Sequence, residues 1–514
     1  MFRFLHSFHR PAAARRGVLL LSLARVLTLG IFLPTVGAAT PASTPPTRLT
    51  GAEIVGAATP VPIPPKRPSS SGQGTNTPTA TTIATATSTR AATSMPTATA
   101  MATAAPTPTD ATVMVDRTQK IGTSRYAVGT THVQYSLDPW GDATAVANGK
   151  ALLSASVVIQ NQHIMGWGAT NPEPSPGVYD WGDLDRRVQL MRATGAAVTI
   201  TLCCSPDWMW GGTAGTTDWS KLGTAPTSAH YADYAALARA VALRYPDVQQ
   251  FQVWNEFKGF WNSTLNRQDY EGYTTMYNLI YDAVKDVSSN ARVGGPYVVM
   301  DSWGCRSCMS NPSAITGAWG TLDQRGLDTI TYWLLHKHGA DFLVVDAQNG
   351  NWDGVQASNL FGTADKFAAI DRWLKTQTTL PIWYGEWYAN TFVAGDAGRG
   401  ALQTTIAINF IRDGVTTALS WGPQANGAAN DFGALFTDTR AAGGGQPYPF
   451  FYDGKIVKEQ FGPGTNLYRV AVSGPVTAIA SGTKTLLVNE RAVATSVNLN
   501  GVMLTLAAYE VRLV

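Results

Sequence analysis

Charge is scarce in this chain. Of 514 residues only 14% are Asp, Glu, Lys or Arg, against 45% hydrophobic. That balance allows a large core under a lightly charged surface and argues against a nucleic-acid-binding face. Even the formal charge of +3 is local: Arg3, Arg10, Arg15, Arg16 and Arg25 lie at the start, and without them 33 basic residues face 35 acidic ones. No anionic partner is implied. Histidine is limited to seven residues, and no histidine–carboxylate set suggests a catalytic metal, so no cofactor is expected. The dinucleotide turn G-x-G-x-x-G is absent. The four cysteines form two local pairs, Cys203-Cys204 and Cys305-x-x-Cys308. Adjacent cysteines are poor zinc ligands and no histidine sits nearby in sequence, so a disulfide is expected instead, between Cys305 and Cys308. Beyond residue 33 no apolar run is long enough to span a bilayer.

The first 39 residues read as an export signal. A basic segment ends at Arg15-Arg16, an apolar stretch runs from Gly17 to Leu33, and small residues follow in "TVGAAT". Cleavage is expected near Ala38 or Ala39. The alternative is an uncleaved anchor tethering the chain to the membrane, which Arg25 weakens by interrupting the apolar run. Either way the expected location is extracellular, secreted or held at the cell surface, and the export route and oligomeric state stay open. Residues 40–110 are mostly Thr, Pro, Ala and Ser. Such a segment buries too little apolar surface to offset ordering entropy, and reads as a disordered linker or stalk.

Composition changes after Val113. All 16 tryptophans fall between Trp140 and Trp421. Across that span a short apolar run followed by an amphipathic one recurs eight times. The strand candidates are 125–131, 162–168, 197–204, 248–256, 291–299, 340–347, 380–387 and 415–421, with helical patterns such as 183–196, 230–245 and 272–287 between them. Eight strand–helix units predict an α/β fold, a (β/α)8 TIM barrel over 120–462. An open doubly wound sheet is the alternative. The Gly- and Ala-rich stretch 424–447 is expected to be a loop overhanging the barrel mouth. From 463 to 514 the period becomes two, predicting a small, sandwich-like C-terminal β domain that residues 111–119 help to complete.

Barrel sites lie at the C-terminal ends of the strands. Two glutamates stand there: Glu256 in "FQVWNE", after the fourth strand, and Glu386 in "IWYGEW", after the seventh. Two opposed carboxyl groups are what glycosidic cleavage needs, one protonated to assist the leaving oxygen and one ionised to attack the anomeric carbon. Asn255, uncharged beside Glu256, suits a sugar hydroxyl. The bland reading of each glutamate is a solvated strand-end acid.

"VWNE" and "GEW" on these strands resemble the clan A glycoside hydrolases. "HIMGWGATNPEPSPGVYDWGDLDRRVQLMRATGA" followed by "SPDWM" looks most like family 39 of that clan. The likeness covers about residues 120 to 514. It implies a secreted retaining hydrolase of O-glycosidic bonds, β-linked, in polysaccharides or oligosaccharides, with Glu256 as acid/base and Glu386 as nucleophile. Asn255 would hold the 2-hydroxyl and Trp421 would be the stacking floor. The clan often carries a histidine and a tyrosine around the end of strand six. Here "VVDAQNGNW" places Asp346 and Asn349 there, against copying a xylosidase specificity. The rivals are an endo-acting glucanase or mannanase of the same clan, and a non-catalytic carbohydrate-binding barrel. Mouth shape separates the first from the main reading and turnover separates the second.

Further candidates come from position alone. Aromatic faces suit pyranose C–H faces, so the strand-end tryptophans 167, 208, 303, 352, 387 and 421 hint at carbohydrate, with Trp208, Trp387 and Trp421 as binding candidates against a Trp-rich core. His132 after the first strand, Asp346, and Tyr384, two residues before Glu386 and so expected to point the same way, are candidate contacts. Asp207 reads as a helix cap or a contact. The mechanism requires Glu256 to be protonated, with a pKa above about 4.3, and Glu386 to be ionised. The two carboxyls are expected about 5 to 5.5 Å apart.

Overall fold

A computed structural model describes residues 110–514, apart from 138–140, 356, 390–394 and 428–432. The segment read as an export signal, nearly all of that read as a linker, and Trp140 lie outside the described residues. β1 (Ala111–Thr123) comes first. β2 (Ala127–Thr131), α1 (Ala143–Ser156), β3 (Ile159–His163), α2 (Gly182–Ala193), β4 (Ala197–Leu202), α3 (Tyr231–Arg244) and β5 (Gln250–Val253) follow. A small hairpin, β6 (Trp261–Asn262) and β7 (Arg267–Gln268), leads to α4 (Tyr270–Val287) and β8 (Arg292–Val299). β9 (Ser302–Trp303), β10 (Pro312–Gly317) and β11 (Gly320–Asp323) make a three-stranded excursion before α5 (Gln324–His336), β12 (Phe342–Gln348), α6 (Asp365–Gln377), β13 (Ile382–Tyr388), α7 (Gly395–Asp413), β14 (Thr417–Trp421) and α8 (Pro449–Phe461). The chain ends in β15 (Asn466–Ser473), β16 (Val476–Ala480), β17 (Thr485–Asn489), β18 (Thr495–Leu499), β19 (Val502–Leu506) and β20 (Val511–Leu513).

Strands β2, β3, β4, β5, β8, β12, β13 and β14 close into a barrel in that order, every pair parallel. Helices cover their outer face, so both sides of each strand are buried and the sequences read as apolar runs rather than alternating ones. α4 shows the matching helical stripe, burying Tyr273, Met276, Tyr277, Ile280 and Val284. Asp142, Asp269 and Asp323 start α1, α4 and α5 by accepting hydrogen bonds from first-turn amides. Among the described residues no helix is long and apolar enough to cross a membrane.

Inside the barrel, Ile159, Phe342, Val344, Trp383 and Leu419 pack into an apolar floor. A polar layer follows further along the strands. Thr131 donates to the Gly385 carbonyl (3.0 Å), Asn161 to Thr131 (3.1 Å), Thr201 to Asn161 (2.9 Å) and Gln252 to Thr201 (3.2 Å). These bonds tie β13, β2, β3, β4 and β5 together directly beneath the mouth.

The last six strands and β1 form one nearly closed sheet, ordered β19-β18-β1-β15-β16-β17-β20. All its pairs are antiparallel except β1 with β18. Curling nearly closed, it encloses a small core of its own, and its other side packs on the barrel. Along β17, Leu487 faces the sheet's own core with Val113, Ala478 and Val497, whereas Leu486 and Val488 join the barrel core. Arg412 of α7 donates to the Ala478 carbonyl across this junction. Leu487→Ala should open the small core and cost about 2–5 kcal/mol, read as a lowered midpoint in denaturant.

The loop 424–447 is pinned by bridges of Phe436 to Gln424 and Pro447, and its Phe436 packs on α1. A Cβ on Gly149 of that helix would stand 2.9 Å from the ring. Cys305 and Cys308 are joined in the β9–β10 excursion, with Cα atoms 5.3 Å apart. Cys203 and Cys204 are also joined, fully buried after β4. Asp353 holds the first staple by accepting from the Gly304 and Cys305 amides (2.7 and 2.8 Å).

Candidate active site

Three carboxyl groups converge at the C-terminal mouth of the barrel. Glu256 comes from the turn after β5, Asp346 from β12 and Glu386 from β13, and one carboxyl oxygen of each lies within 4.8 Å of the others. Local backbone geometry brings them there. β5 stops at Val253; Trp254, Glu256 and Phe257 then take φ values of 69°, 53° and 54°. Such left-handed conformations cost non-glycine residues about 1–3 kcal/mol each and concentrate at functional sites. The Trp254 amide donates to the Leu202 carbonyl (3.0 Å) and its indole to the Lys258 carbonyl (2.8 Å), which fixes the turn.

β13 reaches the site through a bulge. Tyr384 stands opposite Val345 but Glu386 stands opposite Asp346, leaving Gly385 as an extra residue. A Cβ there would lie 2.6 Å from the Tyr297 ring and 2.8 Å from Gln252 Oε1, so the close approach requires glycine. β8 carries a matching irregularity: Pro296 faces Val344 and Val298 faces Val345, so Tyr297, at φ 57°, is the extra residue. Its hydroxyl donates to Glu386 Oε1 at 2.8 Å. Tyr388, two residues past Glu386, returns to the mouth and donates to Asp346 (3.5 Å).

His163 ends β3 with Nε2 4.0 Å from Glu386 Oε1. Burial and the nearby Lys258 push its pKa down to about 3, so this contact is not an ion pair. Asn255 Nδ2 donates to His163 Nε2 (3.1 Å), and the buried Asn255 Oδ1 has no protein partner. Trp421, at the end of β14, stands edge-on to Trp167 (6.0 Å) and to His163 (6.4 Å). Lys258 sits over the Trp167 ring (5.6 Å) and makes an ion pair with Glu256.

The charges lie opposite to the expectation from mechanism. Burial works to raise the Glu256 pKa, but the Lys258 ammonium and a hydrogen bond shared with Asp346 outweigh it and pull the group down to about 2. Burial and the charge on Glu256 push Glu386 up to about 8, against Lys258 and the hydroxyls of Tyr297 and Tyr388. Asp346 is raised well above its ordinary value by burial and by both glutamates. The cluster titrates as a unit, and its one negative charge rests on Glu256 because that is where the ammonium is. Three such oxygens form a donor set a cation could use, but the ammonium of Lys258 already meets that charge.

Several candidates lie elsewhere. Tyr384 does not share the direction of Glu386: the bulge at Gly385 reverses the alternation, and its hydroxyl donates to the buried Asp371 (2.8 Å) among Phe367 and Phe410. Trp387 is 1% exposed and stands against Phe367, Phe410 and Phe450 in the helix layer, so it is core and no sugar platform. His132 bonds to Gln160 (2.9 Å), itself bonded to Thr194 at the end of α2, and so faces that helix rather than the mouth. Trp208 gives its indole N–H to the Glu173 carbonyl (2.9 Å) and lies edge-on to His230. Asp207 accepts from the Asp218 amide (2.7 Å), and Asn349 donates to Thr363 (2.8 Å). Trp352 is 66% exposed beyond β12. The mouth therefore gathers Asn255, Glu256, Asp346, Glu386 and Trp421, joined by His163, Trp167, Lys258, Tyr297 and Tyr388, of which sequence reasoning had singled out only Trp167. Ending the second strand at 163 would have exposed His163; nothing in the sequence marks the bulge that aims Tyr297.

Tyr297→Phe removes one donor to Glu386. A hydrogen bond to a charged group is worth about 1.5–3 kcal/mol, and this one favours the ionised carboxylate, so the Glu386 titration midpoint should rise by roughly 1 to 2 pH units, read by NMR of labelled glutamate, with stability little changed.

No protein-family model matches the chain, and no curated protein matches it in sequence. Solved structures do. A monomeric β-xylosidase from Caulobacter crescentus CB15 is 15% identical with a TM-score of 0.50, over 75% of this chain and 76% of that one. A GH39 enzyme from Xanthomonas axonopodis pv. citri is 15% identical with a TM-score of 0.50, over 75% and 74%. A conserved exported protein from Bacteroides fragilis is 12% identical with a TM-score of 0.54, over 76% and 91%. At these identities the likeness is one of fold: the chain shares its barrel architecture with solved structures that include a β-xylosidase and a GH39 enzyme.

Proposed function

We propose that this chain is a retaining glycoside hydrolase that cleaves β-O-glycosidic bonds in oligosaccharides or polysaccharides. One observation carries the reading: carboxyl oxygens of Glu256 and Glu386, 130 residues apart in sequence, lie within 4.8 Å at the barrel mouth. Retaining enzymes hold their carboxyls about 5–5.5 Å apart, and inverting ones hold them about 6.5–9.5 Å apart to admit a water. In this reading Glu386 attacks the anomeric carbon while Glu256 protonates the departing oxygen. Glu256, then ionised, takes a proton from the water that breaks the glycosyl ester. Tyr297 steadies Glu386, the free Asn255 Oδ1 accepts from a sugar hydroxyl, and Trp421 with Trp167 walls the ring. In this reading residues 1–39 act as an export signal or anchor, and the work is done outside the cell, secreted or tethered at its surface. The substrate is a carbohydrate, and neither nucleic acid nor cofactor enters the reading.

The test is a panel of aryl β-glycosides, xyloside included because of the β-xylosidase among the neighbours, with Glu386→Ala as control. Turnover by the native chain and loss in the variant is expected. Equal rates in both would remove the mechanism, and no turnover of any glycoside would favour a carbohydrate-binding barrel.

A further inference from the structure

The two-carboxyl mechanism has no use for an ammonium on its acid, yet Lys258 makes an ion pair with Glu256. Building on the hydrolase reading, we infer that Lys258 is a positioning residue that keeps the cluster's charge on Glu256, and that a bound leaving group must move its ammonium aside before Glu256 can act as an acid.

The geometry supports this. Lys258 lies two residues beyond Glu256 in the same strained turn, and its carbonyl is tied to the Trp254 indole. Its backbone is therefore fixed while its side chain, 35% exposed, still borders solvent. The ammonium lies over Trp167, one of the aromatic walls of the mouth. Among the described residues it is also the only cation of the groups facing Glu256: Asp346 from β12, Glu386 from β13, Tyr297 from β8, Tyr388 and Asp301 bring no positive charge, and His163 is neutral. Lys366 reaches only the far side, acting on Asp301 and Asp346.

When the ammonium leaves, one proton passes from Glu386 to Glu256 and the negative charge passes the other way, which is the distribution that glycosyl transfer needs. Once Glu386 is esterified and the leaving group gone, the returning ammonium holds Glu256 ionised, as the second step requires of a base. One mobile cation thus serves both steps by its absence and then its presence.

The test needs no turnover. The full chain is labelled with [δ-13C]glutamate and titrated by NMR, with the Glu256 and Glu386 signals assigned by Glu256→Gln and Glu386→Gln. In Lys258→Met the Glu256 midpoint should rise by about 1 to 3 pH units, the usual effect of losing a cation at this range, while Lys258→Arg should stay near the native midpoint. An unchanged midpoint in a folded Lys258→Met chain would overturn the inference. Kinetics add the second arm. With a dinitrophenyl glycoside, whose slow step is hydrolysis of the ester, the acidic limb of kcat should move to higher pH in Lys258→Met; a uniform drop at all pH values would mean a merely structural lysine and would overturn it too. A moved NMR midpoint without turnover of any glycoside by the native chain would leave the charge placement standing and remove the hydrolase reading.

Discussion

Glu386→Ala is expected to lower kcat by on the order of 10⁴- to 10⁶-fold, the scale on which losing a covalent nucleophile is felt. That is about 5–8 kcal/mol of transition-state stabilisation. The substitution removes the group that Tyr297 holds at 2.8 Å and leaves Glu256 with its lysine. Because the missing side chain frees space beside the anomeric carbon, added azide should restore turnover of an activated aryl glycoside. The azide attacks from the face where the carboxylate stood, so the product should be the glycosyl azide of inverted configuration. Rescue with retained configuration would exchange the roles of the two glutamates. Activity within tenfold of native would remove Glu386 from the chemistry.

Glu256→Gln is expected to act through the leaving group. General acid catalysis is worth about 10²–10⁴-fold, so kcat/KM for alkyl or unsubstituted aryl glycosides should fall by that factor. A dinitrophenyl glycoside needs no proton to depart, and its first step should be nearly unaffected. Its kcat should still fall, because the ester then lacks a base, and a burst of dinitrophenol should precede the slow steady state. Equal losses on all leaving groups would contradict the acid role. The pH profile of the native chain follows from the same pair. Turnover requires one proton on the two glutamates. As pH falls toward the Glu256 value of about 2 a second proton binds and Glu386 loses its attacking form. As pH rises through the Glu386 value of about 8 the last proton, which the leaving group needs, is lost. Activity in kcat/KM should therefore hold across a broad acid-to-neutral plateau and decline above about 8.

The barrel was legible because parallel strands covered on both faces are continuous apolar runs, and each of the eight runs contains or overlaps a strand. The second was misplaced: the apolar "IMGWG" drew it to 162–168, although the strand is the polar "IQNQH" of β3, whose glutamines and asparagine bond to neighbouring strands and helices. Glu256 and Glu386 were legible because they stand at the C-terminal ends of those runs. Tyr384 was misread because strict alternation was carried through Gly385, where one inserted residue exchanges inside for outside; Trp387 was misread because a tryptophan at a strand end was taken for a sugar platform, although as the direct neighbour of the inward Glu386 it faces the helix layer. Lys258 lay in plain view two residues from Glu256. What concealed it is that nothing in a sequence shows whether a turn folds a lysine back onto its neighbour or out to water.

In the proposed mechanism Glu386 is the group that bonds to sugar. The direct measurement is to incubate the native chain with an activated 2-deoxy-2-fluoroglycoside, which slows both steps but the second more, and to locate the added sugar by peptide mass spectrometry. A single glycosyl group on the peptide carrying Glu386, absent from Glu386→Ala, is the expected result. The same sugar on Glu256 or Asp346, or turnover with inversion and no covalent adduct, would contradict it.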